Sequence, residues 1–121
     1  MKRLILTTGL AVMLGGCGAT PYKDGYGNSQ LSHNVFKINS RVNGFSETGR
    51  EDDIAMLRAA DIACHMGYDH FDVLNSQRTP PNGVRYFYMT IELKRGSGTY
   101  AAPIIMRALK VKLDAETECN F

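Results

Sequence analysis

The chain has no apolar run long enough to cross a bilayer. Its longest, Leu4 to Leu14, is interrupted by Thr7, Thr8 and Gly9, whereas a spanning helix takes ~20 apolar residues. An excess of either charge is also missing: 14 Lys and Arg stand against 12 Asp and Glu. If residues 1–16 are removed, Lys2 and Arg3 leave with them and the balance is 12 against 12. A neutral chain without a basic stripe lacks the electrostatic footprint of a nucleic-acid binder, and no block of like charge marks a charged tail. No serine sits in G-x-S-x-G, the elbow that presents a hydrolase nucleophile. The three cysteines form no C-x-x-C pair, which argues against thiol redox chemistry.

The first stretch reads as an address. Lys2 and Arg3 supply a positive start, Leu4 to Leu14 an apolar segment of signal-peptide length, and Leu14-Gly15-Gly16-Cys17 a small-residue run ending in cysteine. That run resembles the lipobox of bacterial lipoproteins. The resemblance implies that residues 1–16 are a cleaved signal peptide, that the Cys17 thiol takes a diacylglyceryl group, and that the new amine is acylated. Several acyl chains, at ~0.8 kcal/mol per buried methylene, hold a protein to a membrane far better than one chain does. By resemblance to lipoprotein sorting, Gly18 in place of an aspartate implies the outer membrane, with the domain in the periplasm. The membrane lipid is then the first expected partner, and another envelope protein the second.

Residues 17–32 are rich in Gly, Asn, Ser, Asp and Tyr and poor in aliphatics. Such composition buries too little apolar surface to offset its ordering entropy, so a flexible lipidated tether is expected. Its Gly25-Tyr26-Gly27 begins like a phosphate loop, but position 30 is Gln and no strand precedes it. Residues 33–121 are expected to form one small domain, since roughly a hundred residues bury one modest core.

Within that domain the hydrophobic period alternates between two and 3.6. Phe36, Ile38 and Val42 alternate with Lys37, Asn39 and Arg41, a half-buried strand. Thr48 and Glu51 have the spacing of a capping box, and Glu51, Asp52 and Asp53 suit the positive end of a helix dipole. From Ile54 to Met66 there is neither proline nor glycine, and Gly67 supplies a stop. Met56, Ala59, Ala60, Ala63 and Met66 share one face of that helix, and Glu51, Arg58, Asp61 and His65 the opposite, solvated one. A short strand follows with Phe71 and Val73 inward, and Asn75 to Gly83 reads as a polar loop. Phe87, Met89, Ile91 and Leu93 then share one face of the clearest strand, with Tyr86, Tyr88, Thr90, Glu92 and Lys94 on the other. Gly96-Ser97-Gly98 turns the chain, and after Pro103 a last strand is expected with Leu109, Val111 and Leu113 inward. The fold class predicted is α+β: one helix on a mainly antiparallel four-stranded sheet, in the order β-α-β-β-β. Phe36, Ile38, Phe71, Phe87, Ile91 and Leu109 form its expected core against the alanine face of the helix.

Gly25-Tyr26 with Gln30-Leu31, Glu51-Asp52 with Arg58-Ala59-Ala60, and Gly67-Tyr68-Asp69 with Phe71 are together similar to a group of small uncharacterised bacterial lipoproteins. The likeness covers about residues 22 to 74. It implies placement in the envelope and no particular activity.

Chemistry-bearing residues are few. Gly96-Ser97-Gly98-Thr99-Tyr100-Ala101 satisfies G-x-G-x-x-A, but a dinucleotide site needs a helix directly after the glycines, and Pro103 with an alternating run reads as a hairpin tip followed by a strand. His65, Asp69 and His70 can approach one another around Gly67 as the core of a small hydrolase or metal site. Their spacing matches no established zinc pattern, and surface histidines, His33 among them, are the plainer account. No cofactor, metal or small-molecule ligand is expected, and the protein reads as non-enzymatic: an interaction or structural module. With Cys17 lipidated, Cys64 and Cys119 remain as an even pair in an oxidising compartment, which favours a disulfide pinning the tail to the helix over a buried thiol and a stray one. Closing so long a loop contributes ~2–4 kcal/mol.

The lipid reading has a direct test. Cys17→Ser removes the acceptor thiol, so the variant is expected to accumulate as unprocessed precursor without acyl label. A variant that matures normally and still partitions with detergent would refute it.

Overall fold

The computed structural model describes residues 18–80 and 83–121. Cys17 and residues 1–16, with the lipidation and signal readings placed on them, lie outside the described residues. A single-turn 3-10 helix, Tyr22–Asp24, precedes β1 (Tyr26–Ser32) and β2 (Val35–Val42). Helix α1 (Arg50–Met66) follows, then β3 (His70–Arg78), β4 (Arg85–Lys94), β5 (Tyr100–Ala101) and helix α2 (Ala102–Leu113). The five strands form one open sheet in the order β1-β2-β4-β3-β5, with every neighbouring pair antiparallel. β2 and β3 are therefore parallel, joined by α1, with β4 inserted between them. The α+β class holds, with one more strand and one more helix than expected.

β4 is the central strand and its alternation is the one the sequence displays: Phe87, Met89, Ile91 and Leu93 are buried on one face. Phe36, Ile38 and Val42 of β2 and Phe71 of β3 join them, and α1 packs over this layer. Ala55, Ala59, Ala60 and Ala63 carry no atoms beyond Cβ, so the helix axis approaches the sheet closely. α1 is apolar on more than one side, with Ile54, Leu57 and Ile62 also buried, because α2 packs beside it on the same face of the sheet. Met66 of the expected apolar face stays exposed. Gly67 ends α1 in the left-handed region at φ 80°; the Tyr68 N–H closes onto the Ala63 carbonyl at 2.8 Å, the stop read from the sequence.

Five expectations are corrected. The tether is in large part folded: Tyr26 to Ser32 pairs with β2 from Tyr26↔Ser40 to Ser32↔Val35. An edge strand is held by its main-chain ladder, so its polar side chains need no burial. Tyr22 plugs the core, and Gly25 sits close against it: a Cβ there would meet Ile54 Cδ1 at 2.8 Å, so any larger residue would make Ile54 shift. Second, the last strand is α2. Pro103 occupies its first turn, where a missing N–H costs nothing. Ala102, Met106 and Leu113 are buried at helical spacing, Leu109 partly so, while Val111 is 83% exposed. Third, Thr48 does not cap α1. Gly49 does, at φ 90° and without a side-chain cap bond, and Glu51 turns inward instead. Fourth, the loop expected from Asn75 belongs to β3 as far as Arg78; a register shift between Val73 and Asn75 leaves Leu74 bulged and hid the strand period. Fifth, Gly96 to Gly98 is not a hairpin tip, for β5 pairs with β3 rather than β4.

Over-packing the contact between α1 and the sheet should be costly. Ala59→Leu or Ala63→Leu is expected to lower stability by ~1–3 kcal/mol, read as a shifted denaturation midpoint. An unchanged midpoint in both would mean that the alanines do not set the separation.

Candidate functional site

The described residues carry three polar clusters and one open sheet face. The first lies at the start of α1. Arg85, the first residue of β4, points into the core side; its Nε donates to Glu51 Oε2 at 3.0 Å and its Nη2 to the carbonyls of Ser46 and Glu47 at 3.0 and 2.9 Å. Ser40 Oγ donates to the Glu51 carbonyl at 2.6 Å. These bonds clamp the segment between β2 and α1, which suits a structural pair: a buried charge persists where it is paired and hydrogen-bonded.

The second cluster holds the C-terminal tail. The fully buried Asp61 carboxylate accepts the backbone N–H of Glu118 at 3.2 Å, that of Cys119 at 3.0 Å, and Arg58 Nη1 at 3.3 Å. Arg58 also donates to Glu118 Oε1 at 2.8 Å and to Asn28 Oδ1 at 2.9 Å, and its guanidinium lies over the Tyr26 ring at 4.4 Å. The Arg58 hydrogen bond holds the Glu118 carboxyl below its ordinary range. Burial, with Asp61 adding to it, pushes the Tyr22 phenol far above its own. Beside this network Cys64 and Cys119 stand at disulfide distance, with Cα atoms 5.9 Å apart. Glu51 and Asp61, expected on a solvated face of the helix, are buried instead, because the turned-back tail and the buried Arg85 that meet them leave no periodic signal in the sequence.

The third cluster is the histidine set, which the fold separates. His65 Nε2 lies 3.7 Å from Glu118 and 4.0 Å from Asp61. His70, opposite Lys94 on the far side of the sheet, bonds Asp69 Oδ1 through Nδ1 at 2.9 Å. That bond, then the Gly96 amide, lowers the Asp69 carboxyl from its ordinary value. Among the described residues no group of three or more His, Cys, Asp or Glu side chains is placed to hold one metal ion. His33 is exposed in the turn between β1 and β2. In the G-x-G-x-x-A segment the amides are already used: Gly96 N–H donates to Asp69 and Thr99 N–H to Asp72, at 2.8 and 2.7 Å. A Cβ on Gly98 would meet His70 Cβ at 2.9 Å, so its closeness serves packing against β3. A helix does follow the motif, as α2, but only after β5.

The open face is the side of the sheet away from both helices. The pairing sets its rows: Gly27, Asn39, Tyr88 and Gln77 lie across the strands in one, and Ser29, Lys37, Thr90 and Asn75 in the next, with Arg41 beside Tyr86. The Tyr86 and Tyr88 rings are nearly parallel, 7° apart in plane with centroids 6.2 Å apart. A Cβ on Gly27 would meet Asn39 Oδ1 at 2.9 Å, so glycine makes room for that amide across β1. Toward the far end Lys94 pairs with Asp72 at 2.7 Å; Lys94 and then the Thr99 amide hold the Asp72 carboxyl at about 2. Among the described residues no element packs on this face. Two tyrosines, two cations and three amides thus line a half-exposed surface, a combination suited to binding rather than to bond-making.

Comparison with known proteins finds no matching family model, no matching curated protein and no matching solved structure.

The buried and exposed carboxylates of the tail cluster should behave differently. Asp61→Ala leaves two tail amides and one N–H of Arg58 without their acceptor and is expected to cost ~1–3 kcal/mol, whereas Glu118→Ala, at the surface, is expected to cost less. Thermal denaturation without reductant measures both, and equal losses would refute the hub role of Asp61.

Proposed function

We propose that this protein is a lipid-anchored module of the bacterial cell envelope whose domain faces the periplasm and binds another envelope component without catalysing a reaction. The lipobox resemblance at Leu14 to Cys17 supports the anchor, Gly18 supports the outer membrane, and the resemblance of residues 22–74 to small bacterial lipoproteins is consistent with that placement. One observation carries the binding role: among the described residues the sheet is covered by helices on one side only, and its other side presents Tyr86 and Tyr88 between Arg41, Lys37 and side-chain amides. Tyrosine and arginine are enriched in binding surfaces because they offer contact area with a polar handle.

The experiment is photo-crosslinking in intact cells. A photoreactive residue at position 88 is expected to give a discrete adduct, and one at position 111, on the exposed side of α2, none. Adducts from 111 but not from 88 would overturn the assignment of the open face.

A further inference from the structure

The edge of β3 is only partly closed. β5 is two residues long and pairs with His70 and Phe71 alone, so from Val73 to Arg78 no described strand lies against β3 on the side away from β4. The Thr79 N–H bonds the Tyr86 carbonyl at 3.1 Å. In an antiparallel ladder such pairs alternate with unbonded ones, so the main-chain groups of Ser76 and Arg78 point away from β4. Beside this edge, on the helix side, runs a groove of about 260 Å³ floored by Val73, Phe87 and Met89 and walled by Met56 of α1 and Tyr100 of β5. Its other end is closed by Arg78, which makes two bonds to Asp52 at 2.8 and 2.6 Å and lies over the Phe87 ring.

We infer that this edge and groove together form a docking site for an extended peptide of a partner protein, added to the sheet as a strand in line with β5. Outward N–H and C=O groups at every second residue are satisfied by another extended backbone. The groove selects apolar side chains at alternate positions of that strand, and its methionines adapt to their shape. A second copy of this chain fits poorly. Of the helix-side residues in the same stretch of β3, Val73, Ser76 and Arg78, only Val73 is apolar, so a symmetric pairing would set a serine and a second guanidinium over Met56 and Met89. The β1 edge also borders a hollow that Phe36, Ile62 and Met66 line, but the Arg58–Glu118 ion pair lies across it, and covering that pair costs desolvation. The site is separate from the open face and does not depend on the lipid anchor.

The test uses the full chain, isotope-labelled, and a capped heptapeptide of alternating threonine and valine. Titration to millimolar peptide is expected to give saturable amide shifts at Met56, Ser76, Arg78 and Met89, and exchange of the Ser76 and Arg78 amides slowed about tenfold. Ser76→Pro removes an outward N–H that the ladder does not use, and Met56→Glu places a charge in the groove; each should weaken binding about tenfold or more. The Met56→Glu variant serves if the proline disturbs the strand. No saturable shift, shifts confined to β1, or a concentration-dependent dimer that Ser76→Pro abolishes would each overturn the inference. The last would assign the edge to a second copy. None of these outcomes bears on whether position 88 crosslinks in the cell.

Discussion

The closeness of α1 to the sheet governs the rest of the molecule. Alanines at 55, 59, 60 and 63 are all fully buried, and a helix so near a sheet leaves no room for side chains longer than a methyl on that side. The larger residues Ile54, Leu57 and Ile62 pack to either flank, where β2, β4 and α2 supply partners. Because α1 is enclosed on several sides, its polar residues cannot all reach water, and the fold must answer them with internal partners.

Those partners stand at the two ends of the helix. Glu51 near its start is met by Arg85 from the first position of β4, which also ties down the preceding loop. Asp61, a full turn from the end, is met by Arg58 and by two amides of the tail. Lys112 at the end of α2 reaches Asp53 at the start of α1 at 2.8 Å, so the two helices are held together by charge as well as packing. The tail lies where it does because a buried carboxylate requires donors, and the juxtaposition of Cys64 with Cys119 follows from that course.

The same packing decides which surfaces remain. Both helices lie on one side, so the tyrosine-bearing rows of β4 and their neighbours stay open. β5 is short because the chain turns into α2 at Ala102, whose N–H bonds the Asp69 carbonyl at 2.9 Å, and among the described residues no strand pairs with most of the β3 edge away from β4.

Local chemistry was enough to place β2, α1 and β4, the inward set Phe36, Ile38, Phe71, Phe87 and Ile91, and the Gly67 stop, since period and glycine conformation act over a few residues. It also brought Cys64 and Cys119 into one hypothesis, through parity and helix phase. Tertiary contacts set the remainder. β1 is a strand because β2 offers it a ladder, a bond pattern blind to its polar side chains. Residues 102–113 are helical although Leu109, Val111 and Leu113 alternate, because α1 and β5 bury a stripe at 102, 106 and 113 that a strand could not align. Glu51 and Asp61 are buried because Arg85, 34 residues on from Glu51, and the tail at 118–119 come to meet them. Periodicity reads the face a residue presents, and it carries no information about what another part of the chain will bring to that face.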